Sequence, residues 1–281
     1  MLRPRTVAPS VVSFPSRTPT LLPATHTNAY ALGSRDVLLV EPATPYEDEQ
    51  REWIQWAEGL RSAGRRLIAL FATHHHIDHV GGAEALSHAL GLPVWAHALT
   101  AERLDVPVER RLVEGDAIDL DGPIPQRWNV FHTPGHAAGH LCLLEAESRT
   151  AIVGDMVASE GTILIPPDDG GDMHEYLRQL VRMGEWKARV ALPAHGEPID
   201  DPDALLARYV AHRLMRERFV VEALKGFGAG ATADELVPHA YADTPPAIWP
   251  IAMLSLRAHL AKLVKDGVVR EHGGRYALEI S

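Results

Sequence analysis

Two spacings of apolar residues alternate along the first two hundred positions. Short apolar runs bounded by polar residues or proline, "DVLLVEP" (36–42) and "RLIALFAT" (66–73), predict buried strands. Between them, "YEDEQREWIQWAEGLRSAG" (46–64) has apolar residues at helical spacing, acids in its opening turn and a glycine at its end, which predicts a helix. The alternation continues with a helix at 81–91, a strand at 92–97, and strands at 127–133, 140–147 and 150–155. A helix at 172–188 and a strand at 189–195 follow. Strands alternating with helices imply an α/β sandwich. From residue 202 the pattern changes to one long helix closed at Gly226, then "TADELV", a helix over about 246–266, and two short strands joined by "HGG". That order suits a small winged-helix-like α+β module. The expected organisation is an α/β domain over 1–201, a connecting helix over 202–225 and the module over 226–281.

Composition changes this picture little. The chain has 281 residues, 46% of them apolar and 23% charged, as in ordinary globular proteins that bury a core without covalent staples. Cys142 is the single cysteine, which excludes an intramolecular disulfide and a cysteine-rich metal site and suits a reducing, cytoplasmic location. No uninterrupted apolar run approaches the length of a membrane span, so no membrane partner is expected. Arg3, Arg5, Arg17 and Arg35 precede or adjoin the first acid, Asp36, as in a transit peptide, but Pro4, Pro9, Pro15 and Pro19 would break its helix. A strand and loop are expected there instead. The net charge of −10 divides into −12 over residues 1–203 (17 Lys/Arg against 29 Asp/Glu) and +2 over 204–281 (10 against 8). Bound cations would offset part of the first figure, and so acidic a chain is a poor general binder of polyanions.

Candidate chemistry concentrates in "THHHIDHVGG" (73–82). His74 and His76 share a parity on an extended segment leaving a strand, so both rings point one way, while His75 points the other and is read as a bystander. Asp78 and His79 follow after the chain turns toward the glycines. Two divergent ligand pairs on one loop suit two adjacent divalent ions, because four same-loop ligands on one tetrahedral ion would leave no open position. "TPGHAAGH" adds His136, "VGDMV" adds Asp155 and "LPAHG" adds His195, each after a predicted strand at one sheet edge. His132 and His140 flank His136 as candidates to orient a ligand. Histidine nitrogen mixed with carboxylate oxygen suits zinc-like ions. A water shared between two such ions becomes hydroxide near neutral pH and attacks a carbonyl or phosphoryl centre, with Asp78 placed to orient it or move its proton.

The pattern H-x-H-x-D-H with later His, Asp and His resembles the metallo-β-lactamase superfamily over residues 20–200. The resemblance implies an αββα sandwich with a binuclear site and a hydrolase activity. It would place His74, His76 and His136 on the first ion, Asp78, His79 and His195 on the second, and Asp155 between them. Two divalent ions per chain, taken as Zn2+, are the cofactors so implied.

The loop alone also resembles glyoxalase II, but "VGDMVASEGTILIPPDD" (153–169) lacks that family's glycine-cysteine-glycine-arginine stretch. "THTNAYALG" (25–33), the segment following His195 and "SLRAHLAKLVKDGVV" (255–269) resemble the β-lactamase-like protein 2 group, whose members include single-strand-specific endoribonucleases and many bacterial hydrolases. Two departures stand out: "EPATP" (41–45) replaces the usual Asp-Pro-Gly run, and His26 stands where glycine is usual. The leading expectation is a metal-dependent hydrolase of a small ester, thioester or lactone. The alternative is an endoribonuclease whose module would meet single-stranded RNA through Arg257, Lys262, Lys265, Arg270 and Arg275, with Arg213, Arg216 and Arg218 on the long helix as a second basic strip. A solvated face on a module that caps the site or forms a homodimer is preferred.

Overall fold

In the computed structural model, which describes residues 3–279, contacts divide the chain into two units. The first comprises residues 3–133, 139–163 and 186–203, and the second residues 134–138, 164–185 and 204–279.

The first unit holds two sheets. β1 (Arg5–Ala8), β2 (Val11–Arg17), β3 (His26–Leu32), β4 (Asp36–Val40), β5 (Arg66–Phe71), β6 (Val94–His97) and β7 (Val108–Leu112) lie in that order in a seven-stranded sheet. Its first four strands pair antiparallel and β4 through β7 pair parallel. β8 (Ala117–Leu120), β9 (Gln126–His132), β10 (Leu141–Glu145), β11 (Thr150–Gly154) and β12 (Val190–Pro193) make the five-stranded sheet, in the order β12-β11-β10-β9-β8. Helices α1 (Glu47–Ser62), α2 (Ile77–Val80), α3 (Ala83–Leu90) and α4 (Ala98–Ala101) fall between the parallel strands.

β4 shows why the apolar runs are continuous. Its alternate residues Leu38 and Val40 enter the core between the sheets, while Val37 and Leu39 enter the core that also holds Trp53, Trp56 and Leu86. A strand covered on both faces needs apolar residues at every position. The inter-sheet core joins Phe71 of β5 to Trp128, Leu143 and Ile152 of the other sheet. β7 and β8, which the sequence pattern did not mark as strands, are edge strands of four or five residues with alternating exposure. "VERRL" carries an apolar signal on one face only, too little to stand out.

The two sheets are tied together where β3 passes the end of β12. The Asn28 backbone N–H donates to Ala194 O at 2.8 Å, and its side-chain amide donates to Pro193 O (3.1 Å) and Gly196 O (2.8 Å). Tyr30 Oη donates to Pro193 O at 2.7 Å. The Thr-Asn-x-Tyr segment is therefore a clamp on residues 193–196.

In the second unit, α5 (Met173–Glu185), α6 (Pro202–Lys225, begun in the first unit), α7 (Ala233–Ala240) and α8 (Trp249–Lys265) accompany the hairpin of β13 (Val269–His272) and β14 (Arg275–Leu278). Thr232 and Glu235 form a reciprocal cap at the start of α7. Val220, Leu224, Leu236, Leu256, Leu260 and Leu263 fill one core. Residues 246–265 are long and apolar enough to cross a membrane by length and composition, yet Leu256, Leu260 and Leu263 of that helix lie in this core.

Leu143→Ala should destabilise the first unit by about 2–5 kcal/mol, because a buried leucine is removed where two sheets meet and cannot readily collapse. Urea unfolding followed by tryptophan fluorescence measures it; a change below about 0.5 kcal/mol would contradict the packing described.

Candidate metal centre

The histidine loop leaves β5 at its C-terminal end and enters α2, so the sheet edge dictates where its side chains go. Leu141 N–H donates to Thr73 O at 2.9 Å, fixing the loop to the second sheet at its root. Asp155 follows β11 directly, and His195 follows β12, its parallel neighbour. Gly154 makes the turn before Asp155: its φ is +47°, and a Cβ there would lie 2.5 Å from His140 Nε2.

Hydrogen bonds fix which ring nitrogen each histidine presents. Thr73 Oγ1 donates to Glu41 Oε1 at 2.6 Å, so it accepts from His74 Nδ1 at 3.0 Å and leaves the His74 Nε2 lone pair facing His76 Nδ1 at 2.9 Å. Two nitrogens on one zinc-like ion, with bonds of roughly 2.1 Å at tetrahedral angles, lie about 3.4 Å apart. His79 Nδ1 donates to Glu41 Oε1 at 3.0 Å, and His195 Nδ1 donates to His26 O at 3.0 Å. Both rings thereby turn Nε2 inward.

Those inward nitrogens face carboxylates. His79 Nε2 is 3.5 Å from Asp155 Oδ2 and 3.8 Å from Asp78 Oδ1; His195 Nε2 is 3.4 Å from Asp155 Oδ1 and 3.5 Å from Asp78 Oδ2. His79 Nε2 is buried without a hydrogen-bond partner. A lone pair set against two carboxylates inside a protein is repulsive unless positive charge intervenes. Protonation responds to the same demand. Burial opposes charge on His79, yet Asp155, Asp78 and Glu41 hold its imidazole well above the ordinary histidine value. Burial likewise opposes a charged His195, but Asp155 raises it. Burial would raise Asp155, and the charges of His195 and His79 hold its carboxyl well below the usual range instead. The donor set thus fits divalent cations.

Of the residues expected from the sequence, the structure brings Asp78, His79 and His195 together, with ligand atoms within 4.8 Å of one another, and likewise His74, His79 and Asp155. His136 belongs to the second unit, where its Nδ1 donates to Leu164 O at 2.7 Å. Gly135 before it has φ +135°, and a Cβ there would lie 2.4 Å from Tyr176 Cα. His75 Nε2 accepts from Arg103 Nη2 at 3.3 Å. His140 Nε2 accepts the Asp155 backbone N–H at 3.1 Å while its Nδ1 meets Thr133 Oγ1 at 2.8 Å, so it positions the aspartate. His132 stacks on His97, with ring centroids 4.3 Å apart.

Glu41 is the functional residue that sequence reasoning passed over. It is 1% exposed and sits at φ +58°, and its carboxylate orders His79 directly and His74 through Thr73. The signal was present as an acid directly after β4, where the usual run has aspartate. The other departure, His26, acts through its carbonyl, which any residue supplies.

Glu41→Gln should lower zinc affinity about 10–100-fold, the usual effect of losing a carboxylate that orients a ligand. Competition with a chromogenic chelator measures it; unchanged affinity would contradict the orienting role. In the same assay His76→Ala should lose metal and His75→Ala should retain it, and equal loss in both would overturn the parity argument.

A family model described as the Metallo-beta-lactamase superfamily matches residues 22–195, and one described as the Beta-lactamase associated winged helix domain matches residues 232–276. The chain is similar to Beta-lactamase-like protein 2 homologs of Caenorhabditis elegans (30% identity over 250 residues, covering 86% of this chain and 80% of that protein) and Drosophila melanogaster (27% over 274 residues, 93% and 90%). It is also similar to an Atrochrysone carboxyl ACP thioesterase of Aspergillus chevalieri (29% over 229 residues, 78% and 69%). Among solved structures, a metallo-beta-lactamase family protein from Thermus thermophilus superposes with a TM-score of 0.78 at 24% identity, covering 96% of this chain and 99% of that one. A Beta-lactamase domain protein from Burkholderia ambifaria superposes at 0.83 and 23% identity, covering 98% and 93%; at such identities the two show the fold. With both of its modules matched, and with a histidine–aspartate cluster of the kind with which this fold typically binds divalent metals, the chain belongs to the metallo-β-lactamase superfamily of hydrolases, an αββα sandwich followed by a winged helix.

Proposed function

We propose that the protein is a binuclear zinc hydrolase of a small ester, thioester or lactone. The observation that carries the metal assignment is the inward lone pair of His79 held between Asp78 and Asp155. His74 and His76 would hold one ion, joined by His136 as the motif resemblance assigns. Asp78, His79 and His195 would hold the other, with Asp155 shared. Bound there, the ions would supply Lewis acidity, activating water as a nucleophile and offsetting charge on the carbonyl oxygen.

The chain's own groups do the rest. Glu41 and the His26 carbonyl keep the imidazoles of His79 and His195 in the tautomer that presents Nε2. Asp78, with one oxygen toward His195 Nε2 and the other toward His79 Nε2, is the group we assign to orient the attacking water and take up its proton. At 15% side-chain exposure it is in contact with solvent, so the proton has a way out.

A carbonyl substrate is supported by the thioesterase name of one relative and by the ion pairing or burial of most of the basic residues named above for RNA contact, Arg218 and Arg257 excepted. Lys262 pairs with Glu217 (2.8 Å) and Asp266 (2.6 Å), Lys265 with Asp172 (2.7 Å), Arg270 with Glu279 (3.5 Å) and Arg275 with Glu235 (3.1 Å). On the long helix Arg216 pairs with Asp243 at 2.7 Å, and Arg213 is buried. Each pair adds little stability, but it cancels the field that a phosphate backbone would follow.

The test combines metal counting with a panel of thioesters, lactones, a chromogenic lactam, a phosphodiester and labelled RNA. About two zinc ions per chain and turnover of carbonyl substrates are expected, with activity in Asp155→Ala lower by at least about 100-fold. One ion per chain with full activity in Asp155→Ala would overturn the binuclear reading. Cleavage of RNA alone would overturn the substrate class.

A further inference from the structure

A cleft of about 750 Å³ lies in the first unit where β1, β2 and α1 meet, and no residue of the metal centre lines it. That volume suits a small organic molecule. Its β1 and β2 walls precede residue 22, so part of the cleft is built from residues outside the superfamily match. The lining is aromatic and cationic. The rings of Phe14 and Trp56 stack with centroids 4.7 Å apart and planes 12° apart, and the Arg3 guanidinium lies over Phe14 at 4.9 Å. Arg3 is held there by Glu49 and Glu52, each at 2.5 Å. Arg65, just beyond the end of α1, is half-buried and forms no ion pair among the described residues. Of the charged residues in the lining, Arg3 and Arg65 stand against Glu52, and the unbalanced positive charge is that of Arg65.

Gly59 also lines the cleft, and its place in the sequence needs a reason. It sits inside α1, where only proline is less favourable than glycine. Glycine serves a helix where something must approach the backbone closely. At Gly81 and Gly82 that something is the protein itself, since a Cβ there would lie 2.6 Å and 2.7 Å from backbone oxygens. At Gly59 no protein atom comes near: an added Cβ would meet nothing within 4 Å. The missing side chain therefore leaves room in the cleft rather than room for packing.

We propose that this cleft is a binding site for a planar aromatic carboxylate, with the ring system seated over Gly59 beside the Phe14–Trp56 layer and the carboxylate paired with Arg65. Flat rings stack on such a layer better than a saturated skeleton of the same size. A guanidinium without a counter-ion takes a carboxylate through two parallel hydrogen bonds. The site is separate from the hydrolytic centre, and it stands whether or not the substrate of that centre is an acyl compound.

The experiment titrates the zinc-loaded full chain calorimetrically with three probes: naphthoate, its neutral counterpart naphthylmethanol, and decalin carboxylate as the saturated analogue. Naphthoate should bind saturably and at least about 5-fold more tightly than either of the others. Because a carboxylate can also meet zinc, two variants decide where it binds. Gly59→Leu fills the opening over α1 and should weaken naphthoate by at least about 10-fold, with zinc content unchanged and the melting temperature unchanged or raised, since leucine favours a helix more than glycine does. Arg65→Gln should weaken naphthoate about 10-fold, the effect of losing a charged hydrogen-bond partner, and leave naphthylmethanol binding as it was. No saturable binding of naphthoate, or binding unaltered in Gly59→Leu, would overturn the site. Full affinity for naphthoate in Arg65→Gln, or equal affinity of the wild type for naphthoate and naphthylmethanol, would overturn the pairing with Arg65. Decalin carboxylate bound as tightly as naphthoate would overturn the aromatic preference.

Discussion

Two carboxylates and two imidazole nitrogens face one another in a buried space, and much of the molecule is arranged to keep them there. Asp78 and Asp155 lie 3.4–3.8 Å from the Nε2 atoms of His79 and His195. Left alone, such a group would separate or draw in protons, because opposing lone pairs and like charges are costly out of water. Each ring is pinned from behind by an acceptor on its other nitrogen, so the repulsion falls on the space between them, where cations would relieve it. The surrounding structure is the means of holding these groups at fixed positions before any ion arrives.

The sandwich does this by bringing strand ends together. β5 delivers His74 through His79, β11 delivers Asp155 and β12 delivers His195, and the two sheets are joined near that edge by Leu141 to Thr73 and by Asn28 and Tyr30 to residues 193–196. The inter-sheet core of Phe71, Trp128, Leu143 and Ile152 fixes the spacing of the layers. The link from packing to chemistry is short: a core residue lost beneath β5 or β10 would shift side chains that would have to agree to within a fraction of an ångström to share an ion.

The parts of this arrangement that were legible in the sequence share one property. Buried strands, the amphipathic α1 and the clustering of histidine with aspartate are written into residue type at fixed spacing, as in "HHHIDH" and "DVLLV". What was not legible depends on partners distant in the chain. β7 and β8 are edge strands with one apolar face, so their pattern is half as strong. Glu41 reads as an acid after a strand, and only the fold shows its carboxylate beneath His79 and Thr73. Lys262, Lys265 and Arg275 read as a basic face until Glu217, Asp172 and Glu235 come beside them. His26 looked like a departure of consequence, although its contribution is a carbonyl oxygen.

The central claim is that the lone pairs of His79 and His195, set against Asp78 and Asp155, are places for cations. Anomalous scattering at the zinc absorption edge, from crystals of the full chain grown with zinc, tests it most directly. Two peaks are predicted: one at bonding distance from Asp78, His79 Nε2 and His195 Nε2, the other from His74 Nε2 and His76 Nδ1, with Asp155 touching both. A single peak, or a peak bound through His75 with none at His79 Nε2, would contradict the account.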